Sequence, residues 1–77
     1  MARSNLRTFR REILRVTQQT MAENLGISKK HYQNIESGVY NPSYAVIDKF
    51  AQYVASWSVR DGRRVDVWKM FEDDGRA

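Results

Sequence analysis

Two short helical stretches flank Gly26 in TQQTMAENLGISKKHYQNIESG, residues 17–38, and this pairing constrains the fold more than any other feature of the chain. Thr17 is placed to cap the first stretch, and Met21, Ala22 and Leu25 give it one apolar face. Gly26 ends it, because the left-handed conformation just past a helix C-terminus costs little only for glycine. Ile27 then folds back onto the first helix. Ser28 caps the second, which is predicted to run to Ser37 and stop at Gly38.

The second helix separates its faces. At about 100° per residue, Tyr32 and Ile35 lie together on one side, and Lys29, Lys30, Gln33, Asn34 and Ser37 fall on an arc roughly opposite. That outer face holds cations, amides and a hydroxyl, and no carboxylate. Amides bond bidentately to adenine edges, and lysines reach guanine O6/N7 or phosphate. Such a face suits a helix lying in a major groove.

Thr17-Gln18, Ala22, Leu25-Gly26-Ile27-Ser28, Ile35-Glu36, Gly38 and Asn41-Pro42-Ser43 together resemble the helix-turn-helix of the Cro/repressor (XRE) family. The resemblance covers residues 4–55 and weakens after Ser56. It implies an all-α, lambda-repressor-like bundle of about five short helices, with the helix-turn-helix at 17–37. It also implies an ion pair between an arginine of the first helix and Glu36. Arg10 matches that arginine best, with Arg11 as the alternative, because the stretch from Arg10 to Thr17 is one residue longer than the family pattern. By the same resemblance Gln18 would hold a phosphate and buttress Lys29. Lys29, Lys30 and Asn34 would read bases with Gln33 beside them, and Ser28 and Ser37 would contact phosphate. His31 would be a phosphate neighbour or simply solvated. Tyr40 and Asn41 lie in the loop that faces the DNA backbone in this family, though Asn41 before Pro42 reads equally as turn chemistry. Tyr32 stands where the family has an aliphatic residue, so its hydroxyl needs a partner, expected at the edge of the core.

Charge agrees with a polyanionic partner. Residues 1–30 hold seven Lys/Arg against two glutamates, whereas residues 31–77 hold six against seven Asp/Glu. Seventy-seven residues make one domain: residues 4–55 as its core and 56–77 as a C-terminal extension. With no cysteine and His31 as the sole histidine, neither a disulfide nor a metal site is expected, and no cofactor. The four glycines are isolated, so there is no phosphate loop, and Asp73-Asp74 reads as an acidic tail; an enzyme is not expected. MARSNLRTF lacks the apolar core of a signal peptide and the longest apolar runs are only a few residues, so neither a signal peptide nor a membrane span is expected, and the expected location is cytoplasmic.

Residues 1–5 read as a short mobile arm carrying Arg3. Leu6, Phe9 and Ile13 recur at helical spacing, with Ser4 or Asn5 as the candidate cap. Pro42 separates Val39–Asn41 from a helix capped by Ser43, whose apolar face is expected to carry Ile47, Phe50, Ala51 and Val54. After Ser56 two readings stand. One is a loop to Arg64 followed by a short helix from Asp66 through Phe71, with Trp68 and Phe71 packing inward. The other is a short β-hairpin near 57–67 around Asp61-Gly62-Arg63, pairing Val59 with Val65 and Trp57 with Val67. Glu72 to Ala77 reads as a frayed end.

The function these features point to is a sequence-specific double-stranded DNA-binding transcriptional regulator. It resembles a Cro-like or mobile-element repressor on a palindromic operator. The other class is a protein-binding module, such as an antitoxin or antirepressor, that uses the same fold. A homodimer is expected through Trp57, Val59, Val65, Val67, Trp68, Met70 and Phe71, more apolar surface than so small a domain readily buries.

Overall fold

A computed structural model describes residues 2–62 and 65–72, apart from the side chains of Val59 and Asp61. Helix α1 (Ser4–Thr8) continues without a break into a π-helical segment, Phe9–Leu14. Helices α2 (Gln18–Leu25), α3 (Lys29–Glu36), α4 (Tyr44–Asp61) and α5 (Val67–Met70) follow. With α1 and the π segment taken as one, these are five helices, and the described residues contain no strand.

The chain punctuates itself as its residue types require. Thr17, Ser28, Ser43 and Asp66 each accept a hydrogen bond from the backbone N–H three residues on, capping α2, α3, α4 and α5. Gly26 sits at φ 70° and closes α2, and the Ile27 N–H returns to the Ala22 carbonyl at 3.0 Å. The first helix departs from expectation. Arg3, not Ser4 or Asn5, occupies its cap position, and no side chain caps it.

The π segment takes up the extra residue between Arg10 and Thr17, since i→i+5 bonds place one more residue in the turn than an α-helix does. Arg15 closes it at φ 56°, a conformation that costs a non-glycine residue roughly 1–2 kcal/mol. The Val16 N–H donates to the Arg10 carbonyl, and Arg10 Nη1 donates to the Val16 carbonyl at 3.0 Å. That second bond ties the strained turn to the Arg10 side chain.

Leu6, Phe9, Met21, Ala22, Leu25, Tyr32, Ile35, Val46, Phe50 and Val54 form the core. On α4 the buried face is Val46, Phe50 and Val54, an i, i+4, i+8 row. Ile47 and Ala51, expected inside, are only half-buried at its flank. Beyond Val54 the helix does not break into a loop at Ser56 but runs to Asp61 and is closed by Gly62 at φ 78°. The hairpin does not form, because Trp57 continues the helical row. Its indole meets the Phe9 ring edge-on at 5.5 Å, and each further residue extends an existing helix instead of nucleating a new sheet. The tip residues Arg63 and Arg64, and the tail from Asp73 to Ala77, lie outside the described residues.

Phe71 packs inward as expected, its ring 5.0 Å from that of Phe50, whereas Trp68 points out and is 62% exposed. Trp57, Phe9, Phe50 and Phe71 thus make a continuous edge-to-face row joining the first helix, α4 and the C-terminal segment. Each such pair contributes about 0.5–1.5 kcal/mol beyond its buried area. No helix among the described residues is long and apolar enough to cross a membrane.

Arg3 is tied down and does not belong to a free arm. Arg3 is only 3% exposed, and its backbone N–H donates to the Glu36 carbonyl at 2.9 Å. Its guanidinium Nε donates to the Phe71 carbonyl, Nη1 to the carbonyls of Ile35 and Tyr40, and Nη2 to Asn41 Oδ1 at 2.7 Å. Three segments, the end of α3, the loop after it and the C-terminal segment, converge on this one side chain. None of these partners is a carboxylate, so the charge is held by oriented carbonyl dipoles.

Candidate nucleic-acid interface

The outer face of α3 stands on a buried polar network. Arg10 Nε donates to Glu36 Oε2 at 2.8 Å and Arg10 Nη2 to Glu36 Oε1 at 3.1 Å, a two-pronged pair with both side chains buried. Arg10, not Arg11, therefore meets Glu36, because the π turn rotates it inward. Tyr32, fully buried and not at the edge of the core, donates its hydroxyl to Glu36 Oε2 at 2.6 Å. A carboxylate can accept several such bonds, and that capacity lets a tyrosine stand at an apolar position.

These contacts set the protonation states. Burial works against a charged Glu36, but the hydrogen bonds from Arg10 and Tyr32, the Arg10 charge and the Gln18 bond outweigh it. They hold its pKa below the ordinary carboxylate value. The Glu36 bond raises the pKa of Arg10 against the opposing effect of burial. Burial first, then the Glu36 carboxylate, pushes the Tyr32 hydroxyl up, so it stays a neutral donor.

From Glu36 the network runs outward. Gln18 Nε2 donates to Glu36 Oε1 at 3.2 Å, and Gln33 Nε2 donates to Gln18 Oε1 at 3.1 Å. Gln18 therefore buttresses Gln33 and not Lys29, as the resemblance had implied. The reason is register: Gln33 lies one turn beyond Lys29 on α3, level with the start of α2. A chain Gln33–Gln18–Glu36–Arg10 links the outer face to the core.

The other candidate residues divide by exposure and constraint. Lys29 and Lys30 are exposed and Asn34 is half-exposed, and no hydrogen bond holds their side chains among the described residues. Ser28 Oγ accepts from the His31 N–H as the α3 cap, and Ser37 Oγ donates to the Asn34 carbonyl, leaving both hydroxyls at the helix ends. The His31 ring lies 6.1 Å from the Tyr40 ring, which is itself exposed. The Asn34 carbonyl accepts from the Val39 and Tyr40 N–H groups, folding that loop back on α3. Asn41 presents its amide oxygen to Arg3, so this atom serves the turn.

Sequence reasoning missed two things here. Arg3 carries no periodic signal, and its role exists only where three segments converge on it. Arg7 was noted only as charge and Arg11 only as charge and the alternative partner of Glu36, yet both line a cleft of about 340 Å³ with Arg10, Gln18, Gln33, Glu36 and Ser37.

Of the apolar residues proposed for self-association, Trp57, Val65, Val67, Met70 and Phe71 are half-buried against the core. Trp68 is exposed, and the Val59 side chain lies outside the described residues. Among the described residues no group of histidine, cysteine and carboxylate side chains is arranged to hold a metal ion.

No curated protein and no solved structure is significantly similar to the chain. A helix-turn-helix domain family model matches residues 8–55, from the last residue of α1 through the first two thirds of α4. With that match and the α2–turn–α3 unit described above, the chain belongs to the helix-turn-helix domain family, of the XRE-like type, a fold that supports DNA binding.

Proposed function

We propose that the protein is a sequence-specific double-stranded DNA-binding transcriptional regulator of the Cro-like or mobile-element repressor kind. In this reading it acts as a homodimer on a palindromic operator, with α3 in the major groove. One observation carries this. Lys29, Lys30 and Asn34 project from α3 with no intramolecular hydrogen bond among the described residues, beside a Gln33–Gln18 pair locked to the core. Unspent donors on a rigid support suit base edges, and the fixed amides suit a phosphate. Ser28, Ser37, His31 and Tyr40 stand at the margins, where backbone phosphates would run.

Selection of bound sites from a random duplex library tests the reading. The expected product is a palindromic consensus with half-sites about one helical turn apart. Asn34→Ala should cost about 1–3 kcal/mol on that consensus and flatten one base position in each half. Binding that selects no sequence, or that stays flat between about 50 and 200 mM salt, would sink the proposal.

The protein-binding alternative has one observation in its favour. Trp68 is 62% exposed, and Phe9, Ile13, Trp57, Val65 and Met70, with Asp66 and Lys69, line a largely apolar groove. A partner held there would bind with little salt dependence, which separates the two readings in the same titration.

A further inference from the structure

We propose that Arg7 and Arg11 hold a DNA backbone phosphate in the cleft between the first helix and the α2–α3 unit. Arg7 and Arg11 lie outside the α2 and α3 residues assigned above, although the cleft they line shares Gln18, Gln33 and Ser37 with them. The inference rests on the DNA-binding reading and extends its footprint to the first helix.

The argument begins with charge. Three guanidiniums and one carboxylate line the cleft. Glu36 is saturated by Arg10, Tyr32 and Gln18, so its charge is spent inside. Two positive charges remain in excess, on Arg7 and Arg11. The Arg7 side chain is 46% exposed and approaches Glu36 no nearer than 3.9 Å, too long for a hydrogen bond. Arg11 is exposed and makes no ion pair among the described residues. Four residues apart on a continuous helix, the two lie on successive turns of one face.

Geometry supplies the rest. The opposite wall is Gln18, Gln33 and Ser37, side chains of the same α2–α3 surface that faces DNA in the proposed mode. Gln18 and Gln33 are fixed by their mutual bond, so that wall is preformed. A tetrahedral anion entering the cleft meets planar guanidinium forks on one side and, on the other, the second N–H of the Gln18 and Gln33 amides, whose first is spent within the network. That is the donor set that recognises phosphate.

The test uses the full chain and two duplexes, the selected operator and a random sequence. Each phosphate neutralised adds about 0.9 to the salt slope, so the one phosphate held here amounts to about 3.5-fold over a fourfold change in salt. Between about 50 and 200 mM salt, wild type should therefore lose about 3.5-fold more affinity per bound copy than the Arg7→Gln/Arg11→Gln double variant. The effect should be equal on both duplexes, leaving their affinity ratio unchanged. Arg7→Lys/Arg11→Lys should keep the wild-type slope. If the double glutamine variant loses helix content, Arg11→Gln alone, at an exposed position, should show a shift in the same direction of up to about 3.5-fold. A glutamine variant with the wild-type slope overturns the inference while leaving the DNA reading intact, and so does a changed affinity ratio. Wild type that binds neither duplex removes both.

Discussion

Replacing Glu36 by glutamine probes the network on which the α3 face stands. The substitution keeps shape and volume but removes the charge. It also turns an amide NH2 toward donors that Glu36 now accepts from: Arg10 Nε and Nη2, the Tyr32 hydroxyl and Gln18 Nε2. A guanidinium then faces another donor in a buried site. Breaking a buried pair from one side costs about 3–5 kcal/mol, well above the 0–1 kcal/mol of an exposed pair. A 77-residue chain has a total stability of roughly 4–12 kcal/mol, so the variant should sit near the threshold of folding. At about 2.1 cal/mol/K per residue of unfolding entropy, the melting temperature should fall by roughly 20–30 °C. Tyr32→Phe, which removes one hydrogen bond to the charged group, should cost less, about 1.5–3 kcal/mol.

The pH dependence makes the reasoning specific. The folded pKa of Glu36 lies below its ordinary 4.5, so its stabilisation is complete above 4.5 and is lost as pH falls through the folded value. Glutamine does not titrate. The stability gap between wild type and Glu36→Gln should therefore be full at neutral pH and close progressively below about pH 4.5. Urea unfolding followed by circular dichroism, repeated across this range, measures it. A gap under 1 kcal/mol at neutral pH, or one that does not shrink in acid, would refute the account.

Two other outcomes follow from the same structure. Arg3→Met keeps the buried stem but leaves the carbonyls of Ile35, Tyr40 and Phe71 without their donor. It should cost about 2–4 kcal/mol and speed amide exchange at Val39 and Tyr40 before the core opens. Wild-type exchange there would show that Arg3 does not hold the loop. Trp68→Ser, at an exposed position, should leave helix content unchanged and shift sedimentation from dimer to monomer if α5 joins two copies. An unchanged dimer would place the contact elsewhere.

The local elements of the motif were legible because their causes are local. A cap hydroxyl, an apolar row at helical spacing and a glycine at positive φ each act within a few residues, so Thr17, Gly26, Ser28 and Ser43 announced their roles. The segment after Ser56 was ambiguous for an equally local reason. Trp57, Val59, Val65 and Val67 alternate as a hairpin would, and only the Phe9 ring under Trp57 favours helix. Trp68 and Phe71 could not be sorted by pattern, since a four-residue helix presents one side inward, and Phe50 selects which.

What the sequence by itself determined, then, is the α2–turn–α3 unit, the polar outer face of α3 and the basic bias of the first thirty residues. The tertiary structure alone decided which arginine meets Glu36, that Tyr32 is buried, that Gln18 supports Gln33, and that Arg3 is a buried hub. The reason is physical. A cap or a helical face is satisfied by neighbours in the chain, but a buried charge is satisfied only by whatever oxygens converge on it. For Arg3 those oxygens come from residues 32 to 68 positions away, brought together by the packing of every helix at once.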